Sequence, residues 1–308
     1  MKRISIGTWA YNIGPYEQTP IPFETVGGTL AQLGFDGLEL GGFNGYPNPH
    51  LLPTMDQRDE LKATMQGWGL AFSGFAADLW SQHLIDTDDQ SAYLDEFTRN
   101  ADFARELGIK GIRVDTVQPP TILDQVDADT AFQRVVENWK TAARIAADRG
   151  LYVTWEIEPG FCFNKASEIQ RVLDAIPDRN FGVMYDTCHG QMIAVVGARH
   201  QGEKETLKGG QLELIEKLSG RINHIHLIDS DNSCHKDADG NDETSAHPPF
   251  GDGVIDFDSL VPRLVKEDVG HDWWTIDLCF YQDAWTVTER CKASLDTLNE
   301  QYGGHTTS

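Results

Sequence analysis

The chain has 308 residues, of which 40% are hydrophobic, and it carries a formal net charge of −23 at pH 7. It is long enough to bury a large core, and its acidity argues against binding to nucleic acid or to an anionic membrane surface, since phosphate contacts need lysine and arginine. No stretch approaches the roughly 18 apolar residues of a membrane span, and the N-terminus lacks the apolar region of a secretory signal. The five cysteines form no CxxC pair, which is typical of free thiols in a reducing compartment, so we expect a cytoplasmic protein.

Short apolar runs alternate with longer amphipathic segments along the whole chain. The apolar runs, each predicted to be a strand, are residues 3–9, 35–41, 70–77, 109–116, 151–158, 180–187, 222–229 and 273–280. Helical spacing of apolar residues predicts helices at 22–33, 54–69, 87–107, 127–149, 165–175, 257–267 and 284–302. Residues 189–220 are predicted to be mostly helical with an interruption at Gly209 and Gly210, and residues 230–253 to be a polar loop.

Alternation of strands and helices demands a parallel sheet. Eight such units without a break in composition predict an α/β fold, a single (β/α)₈ TIM barrel over residues 1–302, with residues 303–308 as a disordered tail. A doubly wound open sheet is the alternative. It lacks support, because no GxGxxG follows the first strand and no GxxxxGK[ST] phosphate loop is present.

The stretch TWEIEPGF, residues 154–161, places two glutamates inside an apolar strand. Glu156 and Glu158 share one face because side chains alternate along a strand. Two buried carboxylates are costly unless a partner such as a metal ion neutralises them. Further ligands for such an ion are therefore expected at the ends of other strands.

In a barrel, functional groups lie at the carboxyl ends of the strands. The last four predicted strands bring polar side chains to that rim, namely Glu158, Asp186 with His189, His224 with His226, and Asp277. A set of three carboxylates and one imidazole suits Mn²⁺, Mg²⁺ or Co²⁺ better than a structural zinc ion. The pattern predicts one divalent metal ion, with Mn²⁺ as the first choice.

Six segments resemble those of the xylose isomerase-like barrels, a superfamily that includes D-tagatose 3-epimerases, inosose dehydratases and hydroxypyruvate isomerases. They are LGFDGLEL (33–40), EIEPGF (156–161), GVMYDTCH (182–189), INHIHLID (222–229), FGDGVIDF (250–257) and WWTIDL (273–278). The resemblance implies a metal held by Glu158, Asp186, His226 and Asp277, with His189 touching the substrate. It also implies a homo-oligomer, a dimer or a tetramer.

Asp277 departs from the pattern, because epimerases of this group usually carry glutamate on the eighth strand. Their two glutamates hold the metal and exchange protons with opposite faces of a substrate carbon. Aspartate is one methylene shorter and reaches that carbon poorly, whereas proton transfer needs contact at about 3 Å. The substitution disfavours two-base epimerisation and favours a one-base reaction such as β-elimination.

The function predicted is that of a metal-dependent isomerase or epimerase acting on a keto-sugar or related polyol through a metal-stabilised enediolate. The alternatives are a dehydratase or other lyase, including a C-glycoside-cleaving subunit that needs a second chain, and a non-catalytic sugar-binding barrel. A DNA-repair endonuclease is disfavoured by the negative charge. Apart from further copies of the chain, the partner that we expect is a small carbohydrate substrate, with no nucleic acid and no membrane.

Several side chains are assigned roles on this basis. Glu158, Asp277 and His189 are the expected catalytic residues, and the expected substrate contacts are His189, His224, Arg113, Trp9 and His247. Glu156 is expected to support the site by orienting another ligand or by pairing with Arg113, and Glu39 to fill a structural position in the barrel lumen. Trp80 and Phe280 are further candidates for the wall of the substrate site.

Overall fold

The structure is a computed structural model that describes residues 1–237, 239–267 and 272–304. Its strands are β1 (Arg3–Ile6), β2 (Gly37–Gly41), β3 (Ala71–Ala76), β4 (Gly111–Val114), β5 (Tyr152–Glu156), β6 (Phe181–Asp186), β7 (Ile222–Leu227), β8 (Cys234–Lys236), β9 (Asp242–Ser245) and β10 (Trp273–Ile276). Eight of them form one parallel sheet in the order β1–β10–β7–β6–β5–β4–β3–β2. A parallel bridge between Gly7 and Glu39 brings the two ends of the sheet together. The predicted (β/α)₈ barrel is confirmed.

Helices surround this nearly closed barrel. They are α1 (Phe23–Gln32), α2 (Met55–Trp68), α3 (Ser91–Leu107), α4 (Ala128–Ala147), α5 (Ala166–Ala175), α6 (Thr187–Gln191), α7 (Gly210–Lys217), α8 (Phe257–Glu267) and α9 (Ala284–Tyr302). Local sequence sets their ends. Thr54 and Gln57 form a capping box at the start of α2, and Gly69, with φ of 72°, ends it in the left-handed conformation that glycine adopts without strain.

The packing between helices and strands decides which side chains face the lumen. Trp139 of α4 packs against Trp155 of β5 and Phe181 of β6, with ring centroids 5.2 and 5.7 Å apart. Trp155 therefore points outward to the helix layer. Because side chains alternate along a strand, Glu156 points into the barrel. Burial of the large aromatic side chain thus fixes the direction of the carboxylate beside it.

The strands are shorter than predicted at the rim. β5 ends at Glu156 and β10 ends at Ile276, so Glu158 and Asp277 lie on the loops that follow these strands. The side chains of both residues are nevertheless buried. The predicted strands extend too far because the apolar sequence continues beyond the last residue that pairs with a neighbouring strand.

Residues 189–220 differ from the predicted, mostly helical segment. After α6 a π-helical turn covers Met192–Val196, and residues 197–209 form turns and irregular structure before α7 begins. Gly197 and Gly202 have φ of 64° and 70°, which takes the backbone out of the right-handed helical region. The break in the helix was predicted at Gly209, but it begins earlier, at Gly197.

The segment 230–253 is not only a loop, as was predicted, but contains an antiparallel hairpin of β8 and β9. Asp237 closes its turn, since Oδ1 accepts hydrogen bonds from the backbone N–H groups of Asp239 and Asn241 at 2.9 and 2.8 Å. The strands are too short and too polar to show a period of two in the sequence. This hairpin lies over the mouth of the barrel.

Most of the predicted tail, 305–308, lies outside the described residues, so its disorder stays a prediction. Among the helices in the described part of the chain, none combines the length and the apolar character needed to cross a membrane.

Candidate active site

A cavity of about 890 Å³ opens at the carboxyl ends of the barrel strands. Its volume lies within the usual range for small-molecule sites, about 300–1,000 Å³. Aromatic side chains and carboxylates share its wall. The predicted substrate contacts Trp9, Arg113, His189 and His247 all line it, as do Trp80 and Phe280, whereas His224 is not part of the lining.

Three of the four predicted metal ligands converge at the floor of this cavity. The Asp277 Oδ2 atom lies 3.6 Å from both His226 Nδ1 and His247 Nε2, and Asp186 Oδ1 lies 4.0 Å from the same His247 nitrogen. Asp186 Oδ2 and His226 Nδ1 are buried and have no hydrogen-bond partner among the described residues. Unpartnered buried polar atoms are costly, and a cation between these groups would satisfy them.

The two glutamates of TWEIEPGF take different positions. Glu156 Oε1 lies 3.7 Å from His226 Nδ1, and Glu156 forms a possible metal-binding group with His226 and Asp277. Glu158 lies beside His189 instead, with Oε2 3.4 Å from Nε2. Glu156, Glu158 and His189 form another possible metal-binding group, so Glu156 joins Glu158 as a candidate ligand, and the ligand role of Glu158 stays a prediction.

The Glu158 carboxylate is held by the backbone and by the hairpin. The hydroxyl of Thr244 in β9 donates to Glu158 Oε2 at 2.5 Å. A Cβ atom at Gly160 would lie only 2.3 Å from Glu158 Oε1, so glycine is needed there for the carboxylate to fit. The next hairpin residue, Ser245, is hydrogen-bonded to His189 Nδ1 at 2.9 Å, which leaves Nε2 toward Glu158.

Arg113 of β4 forms the ion pair that was predicted for Glu156. Its guanidinium NH1 lies 2.8 Å from Glu156 Oε2, and NH2 lies 3.8 Å from Asp115 Oδ2. The indole N–H of Trp80 donates to the same Asp115 oxygen at 2.8 Å. Trp80, in the wall of the cavity, is thus connected through Asp115 and Arg113 to Glu156.

Glu39 of β2 supports the histidines from inside the lumen. Its Oε2 accepts hydrogen bonds from His226 Nε2 at 3.0 Å and from His224 Nε2 at 2.7 Å. The hydroxyl of Tyr152 donates to His224 Nδ1 at 3.3 Å. Because Glu39 engages Nε2 of His226, the other ring nitrogen, Nδ1, faces Glu156 and Asp277. Glu39 lies in the barrel lumen as predicted, and its structural role stays a prediction.

Burial and crowding of carboxylates dominate the electrostatics. Burial and then the Glu156 charge raise the pKa of Glu158 to about 8, and burial raises the pKa of Glu156 to about 7 although Arg113 lowers it. Burial and then Asp277 raise the pKa of Asp186 well above its usual range. Burial also raises the pKa of Asp277, but His247 and His226 outweigh it and hold that pKa below its usual range. Such crowding in a dry site is what a divalent cation neutralises.

The sequence analysis did not identify Thr244, Ser245 and Cys279 as site residues, and it did not predict the contact between Trp9 and Asp277. Thr244 and Ser245 reach the site from the unpredicted hairpin, Trp9 donates its indole N–H to Asp277 Oδ1 at 2.5 Å, and Cys279 Sγ lies 3.3 Å from His247 Nδ1. Trp9 was predicted only as a substrate contact. Its position after β1, the neighbour of β10 in the barrel, is the one signal that would have placed it beside Asp277.

Comparison with known proteins agrees with this architecture. Residues 29–299 match the model of the family described as the xylose isomerase-like TIM barrel, and the chain belongs to that family. The inosose dehydratase of Yersinia enterocolitica is 29% identical over 264 residues, which cover 80% of this chain and 78% of that protein.

Solved structures share the fold at lower sequence identity. The D-psicose 3-epimerase of Clostridium cellulolyticum H10, solved with D-tagatose, matches with a TM-score of 0.69 and 16% identity over 97% of this chain and 99% of that one. The IOLI protein, solved with a zinc atom, matches with a TM-score of 0.69 and 15% identity over 99% of this chain and 100% of that one. At these identities the likeness establishes the fold alone.

Proposed function

We infer that the protein is a divalent-metal-dependent dehydratase that removes water from a keto-polyol of the inosose kind. The observation that carries this inference is the geometry of Asp277. One of its oxygens is engaged by the Trp9 indole at 2.5 Å, and the other lies 3.6 Å from both His226 Nδ1 and His247 Nε2. Asp277 is thereby committed to the floor of the cavity and is poorly placed to exchange a proton with a substrate carbon.

The proposed metal ligands are Glu156, Asp186, His226 and Asp277. The unpartnered oxygen of Asp186 and the unpartnered Nδ1 of His226 support this set, and so does the grouping of Glu156 with His226 and Asp277. Three carboxylates and one imidazole suit Mn²⁺, Mg²⁺ or Co²⁺. When bound, such an ion supplies Lewis-acid polarisation of the substrate ketone.

Glu158 and His189 form the proposed proton-transfer pair. They lie 3.4 Å apart on one side of the cavity, and the hairpin hydroxyls of Thr244 and Ser245 orient them. In a β-elimination one of them takes the proton from the carbon beside the ketone. The other gives a proton to the departing hydroxyl, so that a carbon–carbon double bond forms and water leaves.

The remaining wall suits an uncharged polyol. Trp9, Phe43 and Trp80 offer aromatic faces, on which the C–H surface of a sugar or cyclitol packs. Arg113 is already paired with Glu156 and Asp115, so its charge is compensated before a substrate binds. The similarity to inosose dehydratases adds a cyclic ketone as the first substrate to test.

Isomerisation or epimerisation of a keto-sugar is the second candidate. It is favoured by one observation, which is that Glu158 and Asp277 both line the cavity and so supply two carboxylates near one bound substrate. An epimerase would need Asp277 to release the Trp9 indole. The dehydratase requires no such rearrangement.

The test compares metal-stripped and Mn²⁺-reloaded protein on 2-keto-myo-inositol and on D-fructose. We expect dehydration of the keto-inositol by the reloaded protein alone, with loss of activity in Glu158→Gln and retained metal content. Glu168→Gln, which changes a glutamate of α5 outside the cavity lining, is the matched control. Equal activity with and without metal, or reaction of the ketohexose alone, would contradict the proposal.

A further inference from the structure

A second group of metal-ligating side chains lies at the mouth of the cavity. It consists of His235 on β8, His247 just after β9, and Cys279 just after β10. One ligand atom from each residue lies within 4.8 Å of the others. Cys279 and His247 are buried, and Nε2 of His235 is shielded from solvent without a hydrogen-bond partner among the described residues.

The distances within this group fit a tetrahedral ion. Bonds of about 2.3 Å to sulfur and about 2.0 Å to nitrogen place the two ligand atoms about 3.5 Å apart at the tetrahedral angle. Cys279 Sγ and His247 Nδ1 lie 3.3 Å apart. The side chains need only a small shift to accept such an ion, and a fourth position remains for water.

The donor chemistry separates this group from the barrel floor. The floor offers mainly carboxylate oxygens, which suit hard ions, whereas a thiolate and two imidazoles suit Zn²⁺ or another soft ion. The second ring nitrogen of His247, Nε2, lies 3.6 Å from Asp277 Oδ2. A carboxylate beside the free nitrogen of a histidine is the usual support for a metal-bound imidazole.

We propose that Cys279, His247 and His235 form a second metal site, selective for a soft divalent ion such as Zn²⁺, that ties the hairpin to the end of β10. Two ligands belong to the hairpin segment and the third to the barrel. A bound ion therefore holds Thr244 and Ser245 against Glu158 and His189. The site stands independently of the reaction assigned to the barrel floor.

The experiment titrates metal-stripped full-length protein with Co²⁺ and records the near-ultraviolet absorption that arises only from cobalt bound to thiolate. Wild type is expected to show this band and to bind two ions. Cys279→Ser is expected to lose the band and one ion, and Asp186→Asn to keep the band and lose the other ion. Cys234→Ser, which removes the neighbouring thiol on β8, is the matched control and keeps the band.

His235→Ala tests the same site if the Cys279 variant fails to fold. His235 is partly exposed, so we expect its replacement to leave the core intact. We expect it to weaken Co²⁺ binding at the thiolate site at least tenfold and to speed protease cleavage of the hairpin in Zn²⁺-loaded protein. No thiolate band in wild type, or a band that survives Cys279→Ser, would overturn the proposal. Loss of the band in Cys234→Ser but not in Cys279→Ser would also overturn it.

Discussion

The two halves of the barrel rim carry different chemistry. The half formed by β1 to β4 presents aromatic rings beside the Arg113–Asp115 pair. Phe43 and Trp80 are tilted against each other at a centroid distance of 4.9 Å, and Trp9 lies in a cluster with Phe43. The half formed by β5, β6, β7 and β10 presents carboxylates and imidazoles. The first half can bind the apolar face of a polyol, and the second can hold a cation.

The largest expected effect comes from the acidic half. Asp186→Asn keeps the shape of the side chain and its cap on α6, where Oδ1 accepts from the His189 N–H at 2.8 Å, but removes the charge. We expect metal affinity to fall by more than about 100-fold, since even outer partners of metal ligands contribute about 10- to 100-fold. Calorimetric titration with Mn²⁺ measures it.

The control for that variant lies in the other half of the rim. Asp115→Asn neutralises an equally buried carboxylate, one that pairs with Arg113 and Trp80. It should bind metal as wild type does. A similar loss of metal in both variants would show that total charge, and not the position of the ligand, governs binding.

Glu39→Gln is expected to have the next largest effect. The neutral amide weakens the charge-assisted bond to His226 Nε2, so that the imidazole is less firmly oriented. We expect metal affinity to fall about 10- to 100-fold, with the Mn²⁺ resonance spectrum broadened by a less regular site. His224→Gln removes the other partner of Glu39 and should cost less. Equal losses in the two variants would argue for a purely structural role of Glu39.

Trp80→Ala tests the aromatic half. Loss of the ring should raise KM for the keto-polyol about tenfold, since an aromatic contact contributes about 0.5–1.5 kcal/mol beyond area burial. Metal content should not change. Trp80→Phe keeps a ring but loses the bond to Asp115, and it should retain most of the binding. Equally raised KM values in Trp80→Phe and Trp80→Ala would point to the Asp115 bond instead of the ring, because both variants lose that bond.

Thr244→Val is expected to have the smallest effect. It deletes the hydroxyl that donates to Glu158 Oε2, worth about 1 kcal/mol, so kcat should fall about fivefold with metal affinity and KM unchanged. Thr244→Ser keeps the hydroxyl and should stay near wild type. If the serine variant is as slow as the valine variant, packing of the methyl group and not the hydrogen bond supports Glu158.

The sequence predicted the barrel well because alternating apolar runs and amphipathic helices report burial directly. It also predicted the convergence of Asp186, His226 and Asp277, because each lies at the end of a parallel strand and all such ends meet at one rim. It assigned the metal-ligand role to Glu158 and a supporting role to Glu156, but it did not show that Glu156 approaches His226. The two glutamates share strand parity, and the end of β5 at Glu156 separates their positions.

Contacts between parts of the chain that are far apart in sequence could not be predicted. Thr244 reaches Glu158 across 86 residues, and Trp9 reaches Asp277 across 268. No local pattern encodes such a pair, since it depends on the closure of the barrel and on a hairpin with few apolar residues. These contacts orient the side chains whose identity the sequence does reveal.

The central claim is that the rim removes water from a keto-polyol with the help of a metal. Proton NMR of 2-keto-myo-inositol in D₂O with Mn²⁺-depleted and metal-reloaded protein tests it most directly, with Mg²⁺ as the reloading ion so that the lines stay sharp. The account predicts that the substrate signals give way to those of a dehydrated product only when metal is present. An epimer carrying deuterium beside the carbonyl, with no loss of water, would contradict it.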